Sequence, residues 1–391
     1  MRLRHPDGST VHLAYCTNVH PAETVDGLID QLRRYGGAVR AALGTARAGL
    51  GLWLPAPAAA RLAEEPAEVD RLRTALEAHG LEVVTLNAFP YTGFHAPRVK
   101  KDVYHPDWTR PERLDYTLDC ARVLARLLPD DARRGSISTL PLAWREPWDG
   151  ARAAIARDQL RRLADRLAEL AVHEGRPIRV ALEPEPGCVV ENTYDAARRL
   201  AGLGGEHIGV CLDTCHLAVG FEEPGPALRR LADAGLPVVK VQASAAIEAA
   251  DPSDPAVRAA LGAFAEDRFL HQVRESEPDA AVLASRDDLP DALDGPGALP
   301  GKGPWRVHFH VPVHAPPAAP LLGTQRHLAD ALGALFGGPA PLTDHIEVET
   351  YTWSVLPEGR RPADDAGLVA GLADELAWVR DRLTALGLEV V

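Results

Sequence analysis

The chain is predicted to be a parallel α/β protein, a (β/α)8 barrel, on three observations. Short apolar or alternating runs recur along its 391 residues, each followed by a stretch with helical spacing. Within those runs the two side-chain parities differ in chemistry, as they must when one faces a barrel interior and the other a shell of helices. Three of the runs carry a carboxylate at or near their C-terminal end, at the place where barrel enzymes carry their active sites.

In chain order the strand candidates are residues 11–17, 49–54, 81–87, 136–140, 178–183, 208–213, 238–242, 305–311 and 346–351. Helical spacing fills 24–43, 68–79, 110–127, 149–173, 194–203, 325–335 and 365–386. Nine strands are one too many, so either the 305–311 run is extra or an earlier assignment is wrong. Residues 251–304, rich in DPSDP, DGPG and PGKGP turns, read as an elaborated insertion before the last strand, with a short helix and the stretch FLHQVRES. The whole chain, 1–391, is then expected to be one barrel domain.

The parity evidence is specific. Val180 and Leu182 oppose Ala181 and Glu183; Val210 and Leu212 oppose Gly209, Cys211 and Asp213. Val239 and Val241 oppose Lys240 and Gln242, Val307 and Phe309 oppose His308 and His310, and Ile346 and Val348 oppose Glu347 and Glu349. An open sheet covered on both faces would show near-continuous apolar runs instead.

Composition excludes several function classes. Hydrophobic residues make up 46% and charged residues 25%, which supports a large core without disorder. The formal charge of −13, with no basic run, speaks against nucleic acid. Polar opening residues and the absence of a long apolar run predict neither export nor membrane insertion. Five scattered cysteines, Cys16, Cys120, Cys188, Cys211 and Cys215, suit reduced thiols in a cytoplasm.

Glu183 in VALEPEPG, Asp213 in GVCLDTCH and Glu349 in IEVETYTW converge on one barrel mouth. Clustered carboxylates repel unless a cation lies among them, so a divalent metal is expected there. His216, three residues past Asp213, is expected to bind the metal, orient a ligand or take part in catalysis. His308 and His310 share one parity and are candidate metal or substrate ligands. Gln242 ends the seventh strand and can coordinate a cation or bind a hydroxyl, whereas Lys240 is expected to neutralise Glu347 inside the barrel. The loops YCTNVHP and NAFPYTGFH offer Asn18, His20, Asn87, Tyr91 and His95 for substrate contact, and His271, Arg274 and Trp353 are further candidates.

LEPEPG, CLDTCH and the terminal ETYTW resemble the metal-ligand strand ends of the xylose isomerase-like barrel superfamily. With YCTNVHP, NAFPYTGFH, VKVQAS, HFHVP and VETYTW in order, most of the chain is similar to its EboE metabolite traffic proteins. That resemblance implies a fifth-strand glutamate, sixth-strand aspartate, seventh-strand histidine and eighth-strand glutamate around Mn²⁺, Mg²⁺, Co²⁺ or Zn²⁺. Glu183, Asp213 and Glu349 match; Gln242 stands where the histidine is expected, and His310 or His271 is the candidate replacement. The expected activity is isomerisation or epimerisation of a small hydroxy-carbonyl metabolite through an enediolate, with Glu183 and Glu349 exchanging the proton. A carrier that binds a metabolite without turnover and a metal phosphodiesterase of the endonuclease-IV type are the alternatives.

Overall fold

Alternating small and polar residues on one side of each strand, and branched apolar residues on the other, close the sheet on itself. In the computed structural model, which describes residues 1–203, 205–277 and 282–391, eight parallel strands form the barrel. They are β1 (Thr10–Cys16), β2 (Ala48–Trp53), β3 (Leu81–Ala88), β4 (Gly135–Thr139), β5 (Ile178–Leu182), β6 (Ile208–Asp213), β7 (Val238–Ala243) and β8 (His345–Val348). Consecutive strands pair, and β8 returns to β1 from His345↔His12 to Val348↔Tyr15.

The helices between them start where short polar side chains can cap them. Asp149, Asn192 and Asp364 each accept a bond from the backbone N–H three residues on, opening the helices Gly150–Glu174, Thr193–Leu200 and Asp365–Ala385. The stretch expected as one helix over 24–43 is three consecutive helical segments, Val25–Gln31, Leu32–Gly36 and Gly37–Ala42, the middle one a wider π turn.

Inside the barrel, Lys240 and Glu347 are fully buried and joined as an ion pair, as their shared parity predicts. Gly51 on β2 makes room for that pair: a Cβ there would lie 1.5 Å from Glu347 Oε1. Val239 departs from the expected parity. The β6–β7 register slips by one residue after Val210↔Val238, and Val239 packs inward with Ala181 and Cys211.

Of the nine strand candidates, the 305–311 run is the extra one. Trp305–Val311 lies outside the barrel, in an antiparallel sheet inserted between β7 and β8. Its five strands run in the order Ala284–Arg286, Val273–Glu275, Trp305–Val311, Ala245–Ala249 and Leu322–Gly323. The inserted sheet thus extends on both sides of the expected 251–304, of which residues 278–281 lie outside the described part. It begins two residues after β7 because Ser244 turns the chain at the barrel mouth, where its hydroxyl donates to Asp213 Oδ1 (2.9 Å).

Candidate metal centre

Strand ends deliver the acids. Glu183 follows β5, Asp213 ends β6 and Glu349 follows β8, and all three are buried. One oxygen from each lies within 4.8 Å of the others. Asp213 and Glu349 are held by hydrogen bonds, and Asp213 and Glu183 each keep an oxygen free. Asp213 Oδ1 accepts from the backbone N–H of His216 (2.8 Å) and from Ser244, capping the short helix Thr214–Val219, while its Oδ2 has no partner. Glu349 Oε1 accepts from Asn18 Nδ2 (2.7 Å) and Asn87 Nδ2 (2.9 Å). Glu183 Oε2 is buried without a partner.

Burial, then the neighbouring Glu349 and Asp213 carboxylates, pushes Glu183 well above the usual carboxylate range. Burial and the Asp213 carboxylate do the same to Glu349. Three buried acids, two of them with an orphaned oxygen, fit a divalent cation, which would pair with them in place of protons.

Three imidazoles complete the floor. Burial pushes His216 down to about 4, takes His308 well below the ordinary histidine value and lowers His310, so all three rings are neutral near pH 7. Each Nδ1 faces an acceptor: the Pro184 carbonyl for His216 (2.9 Å), Gln272 Oε1 for His308 (2.6 Å) and the Glu349 backbone carbonyl for His310 (2.8 Å). The Gln272 amide is oriented by its Nε2, which donates to the Pro186 carbonyl (2.9 Å). The protons therefore sit on Nδ1, and each Nε2 offers a lone pair. His216 Nε2 lies 3.0 Å from His308 Nε2, which lies 3.3 Å from His310 Nε2. Facing lone pairs at that range repel, and a cation relieves the contact. His310 Nε2 is also 4.0 Å from the free Asp213 Oδ2, so of the two candidate replacements, His310 and His271, it is His310 that lies beside the acids. Gln242 sits between Asp213 and Glu347 in the strand register, buried, with neither amide atom partnered.

Other sequence candidates are placed elsewhere. His95 receives no place in the pocket wall but contacts the Asn18 carbonyl (2.8 Å), fixing the residue that holds Glu349. His20 stacks on Tyr35 with ring centroids 4.1 Å apart, and Tyr91 packs edge-on against Tyr116. His271 is tied between Glu266 (2.8 Å) and the His308 carbonyl (3.0 Å); its side chain leaves the inserted sheet away from the cluster, stacked on Phe309. Arg274 pairs with Glu191 and Trp353 donates to Glu375 (3.2 Å). His308 and His310 reach the mouth from the inserted sheet and not from a barrel strand.

Sequence reasoning missed Glu185, Tyr104, Gln272 and Tyr351. Glu185 is buried, accepts from the Tyr104 hydroxyl (2.6 Å) and is pushed up to about 8 by burial. Its signal was present in the second acid of LEPEPG. Tyr104 and Gln272 carry no local pattern that marks them.

Fold and floor together define a barrel with a candidate cation site at the C-terminal ends of its strands. The model of the xylose isomerase-like TIM barrel family matches residues 46–252, more than half of the chain, and the chain belongs to that family. No curated protein matches it in sequence. Among solved structures, a candidate sugar phosphate isomerase/epimerase from Anabaena variabilis is 16% identical, with 97% of this chain and 100% of that one covered and a TM-score of 0.53. D-allulose 3-epimerase from Methylomonas sp. is 12% identical, with 95% and 98% covered and a TM-score of 0.51. A xylose isomerase-like TIM barrel protein from Mycobacterium smegmatis, in complex with magnesium, is 14% identical, with 98% and 94% covered and a TM-score of 0.50. At these identities the likeness establishes the fold. No helix among the described residues is long and apolar enough to cross a membrane.

Proposed function

We propose that the chain is a divalent-cation-dependent enzyme that isomerises or epimerises a small hydroxy-carbonyl metabolite. One observation carries this reading: three buried strand-end carboxylates bring one oxygen each within 4.8 Å of the others, two of them with an orphaned oxygen, and Glu183 and Glu349 line one pocket with three neutral imidazoles. Glu183, Asp213, Glu349 and His310 would hold the cation, with Gln242 as a further oxygen donor. When bound, the cation would supply Lewis acidity toward the substrate's carbonyl and hydroxyl oxygens. Glu183 and Glu349 then take and return the proton on the carbon next to the carbonyl. Asn18 and Asn87 hold Glu349 at one oxygen, which fixes the direction in which the other can accept a proton. His216, anchored on the Pro184 carbonyl, presents Nε2 to a substrate hydroxyl.

The ordered motifs that resemble EboE proteins support placing the substrate in a secondary-metabolite biosynthesis or export pathway. A phosphodiesterase is the second reading, favoured by the three converging imidazoles. Against it, Lys100, the one cationic side chain among the described residues of the pocket wall, is already bound to the Glu266 and Phe269 carbonyls and to Asp288.

Deuterium exchange tests the proposal. Metabolites co-purifying with the protein are identified and returned to the cation-loaded enzyme in D₂O. Deuterium should enter next to the carbonyl, and Glu349→Gln should slow that entry by about 100-fold or more while ligand affinity stays within about tenfold. A ligand that binds at full cation occupancy with no exchange would mark a carrier and refute the catalytic reading.

A further inference from the structure

The pocket changes character abruptly above its floor. Phe94 from the loop after β3, Phe269 from the insertion and Tyr351 from the turn after β8 form one three-ring wall. Their centroids are 5.1 Å apart for Phe94–Phe269, 5.3 Å for Phe94–Tyr351 and 4.9 Å for Phe269–Tyr351. Tyr351 continues the wall down to His310, at 4.8 Å between centroids. Phe89, Val103 and Leu270 extend the apolar lining.

Polar groups in this upper region are already committed. The three protons of the Lys100 ammonium go to two carbonyls and Asp288. The Tyr104 hydroxyl donates to Glu185 and accepts from Gln272 Nε2 (2.9 Å). Of the described lining residues above the floor, Tyr351 alone keeps an uncommitted hydroxyl. A polyol chain entering here would lose water from several hydroxyls and find few partners, the Tyr351 hydroxyl and, at the floor, the free Asn18 Oδ1, and unpaired buried hydroxyls weaken binding. An apolar or aromatic body would instead gain from leaving water and from ring contacts with three aromatic side chains.

We propose that the substrate is amphiphilic: a hydroxy-carbonyl head directed at the carboxylate and imidazole floor, on a flat apolar or aromatic body seated against Phe94, Phe269 and Tyr351. The inference rests on the reading of the floor as a cation site and selects against free sugars as substrates.

Two probes share the head and differ in the body: dihydroxyacetone and 2-hydroxyacetophenone. Binding of each, and of D-fructose, to Mn²⁺-loaded protein is measured by calorimetry. 2-Hydroxyacetophenone should bind about tenfold or more tightly than the other two, the gain expected for burying one ring. Phe269→Ala and the gentler Phe94→Leu should shrink that advantage to about threefold or less without changing Mn²⁺ content. Glu183→Gln should weaken the head common to both probes. If 2-hydroxyacetophenone binds no more tightly than dihydroxyacetone or D-fructose, or does not bind, the amphiphilic substrate is overturned while the cation site stands. If the wild type takes up no Mn²⁺, the reading of the floor falls, and this proposal with it.

Discussion

Replacing Lys240 by methionine tests the barrel interior directly. Its ammonium is fully buried and bonded to Glu347 and to the Leu86 carbonyl (3.3 Å). Burial is the largest influence and lowers its pKa, yet the charge and hydrogen bond of Glu347, with Cys211 and Cys16 nearby, together carry it to about 12. A lysine raised above its unfolded value contributes stability that is complete below about pH 10.5 and lost as pH rises through about 12. At neutral pH the pair is therefore intact, and Lys240→Met leaves the buried Glu347 side chain without its partner. Such a loss costs about 3–5 kcal/mol. For 391 residues the unfolding entropy is about 0.8 kcal/mol per kelvin, so the melting temperature should fall by about 4–6 °C. Glu347→Gln combined with Lys240→Met removes both charges and should recover at least half of that loss, giving a coupling energy above about 1 kcal/mol in a double-mutant cycle. Calorimetry or thermal circular dichroism on the four proteins reads it. A single variant melting within about 1 °C of wild type, with no coupling, would refute the pairing and the β7–β8 register beneath the site.

Two further outcomes follow from the same geometry. Elemental analysis should find about one divalent cation per chain, lost in Asp213→Asn and Glu183→Gln; His310→Gln should weaken Mn²⁺ binding by about tenfold or more, and His271→Gln by less than about threefold, because His271 is tied to Glu266 and turned from the cluster. Glu375 is buried and accepts from the Val313 backbone, Thr350 and Trp353; burial pushes it up to about 7 in spite of those bonds. Its neutral form is the one the fold favours, so its contribution is complete below about pH 4.5 and is lost as pH rises through about 7, a swing of about 3 kcal/mol. Glu375→Gln should flatten that part of the decline in unfolding free energy between pH 5 and 8; an unchanged slope would contradict it.

The barrel was legible because its physics is local and periodic. Parity along β5, β6 and β8 separates Val180 from Ala181, Leu212 from Asp213 and Val348 from Glu349, so the acids could be placed on one mouth before any coordinates. The slip at Val239 was not legible, since a one-residue bulge leaves the composition of β7 unchanged. Nor could pattern assign Trp305–Val311 to a second sheet: its alternation suits a barrel strand equally well, and only pairing with Ala245–Ala249 and Val273–Glu275 decides the matter. His20, Tyr91, Arg274 and Trp353 show the weakness of reading loops. A loop aromatic, imidazole or guanidinium can face substrate or pack inward, and these four find Tyr35, Tyr116, Glu191 and Glu375.

The insertion explains how the floor is assembled without a histidine on β7. Alternation along Trp305–Val311 turns Val307 and Phe309 into the core and puts His308 and His310 on the opposite parity, toward the mouth. Their tautomers are fixed by Gln272 on the inserted segment and by the Glu349 carbonyl at the end of β8. The imidazoles and the eighth-strand acid are therefore set by one hydrogen-bonded unit that spans sheet and barrel. Thr352 closes that unit by donating to the His310 carbonyl, and Thr350 ties the same turn to Glu375. Since Tyr351 lies between these two threonines, the residues that orient the nitrogen donors also set one side of the aromatic wall. A change in the Gln272–His308 and His310–Thr352 contacts should consequently alter cation binding and ligand selectivity together, whereas a change confined to the β5 and β6 ends should act on the cation and leave the aromatic wall in place.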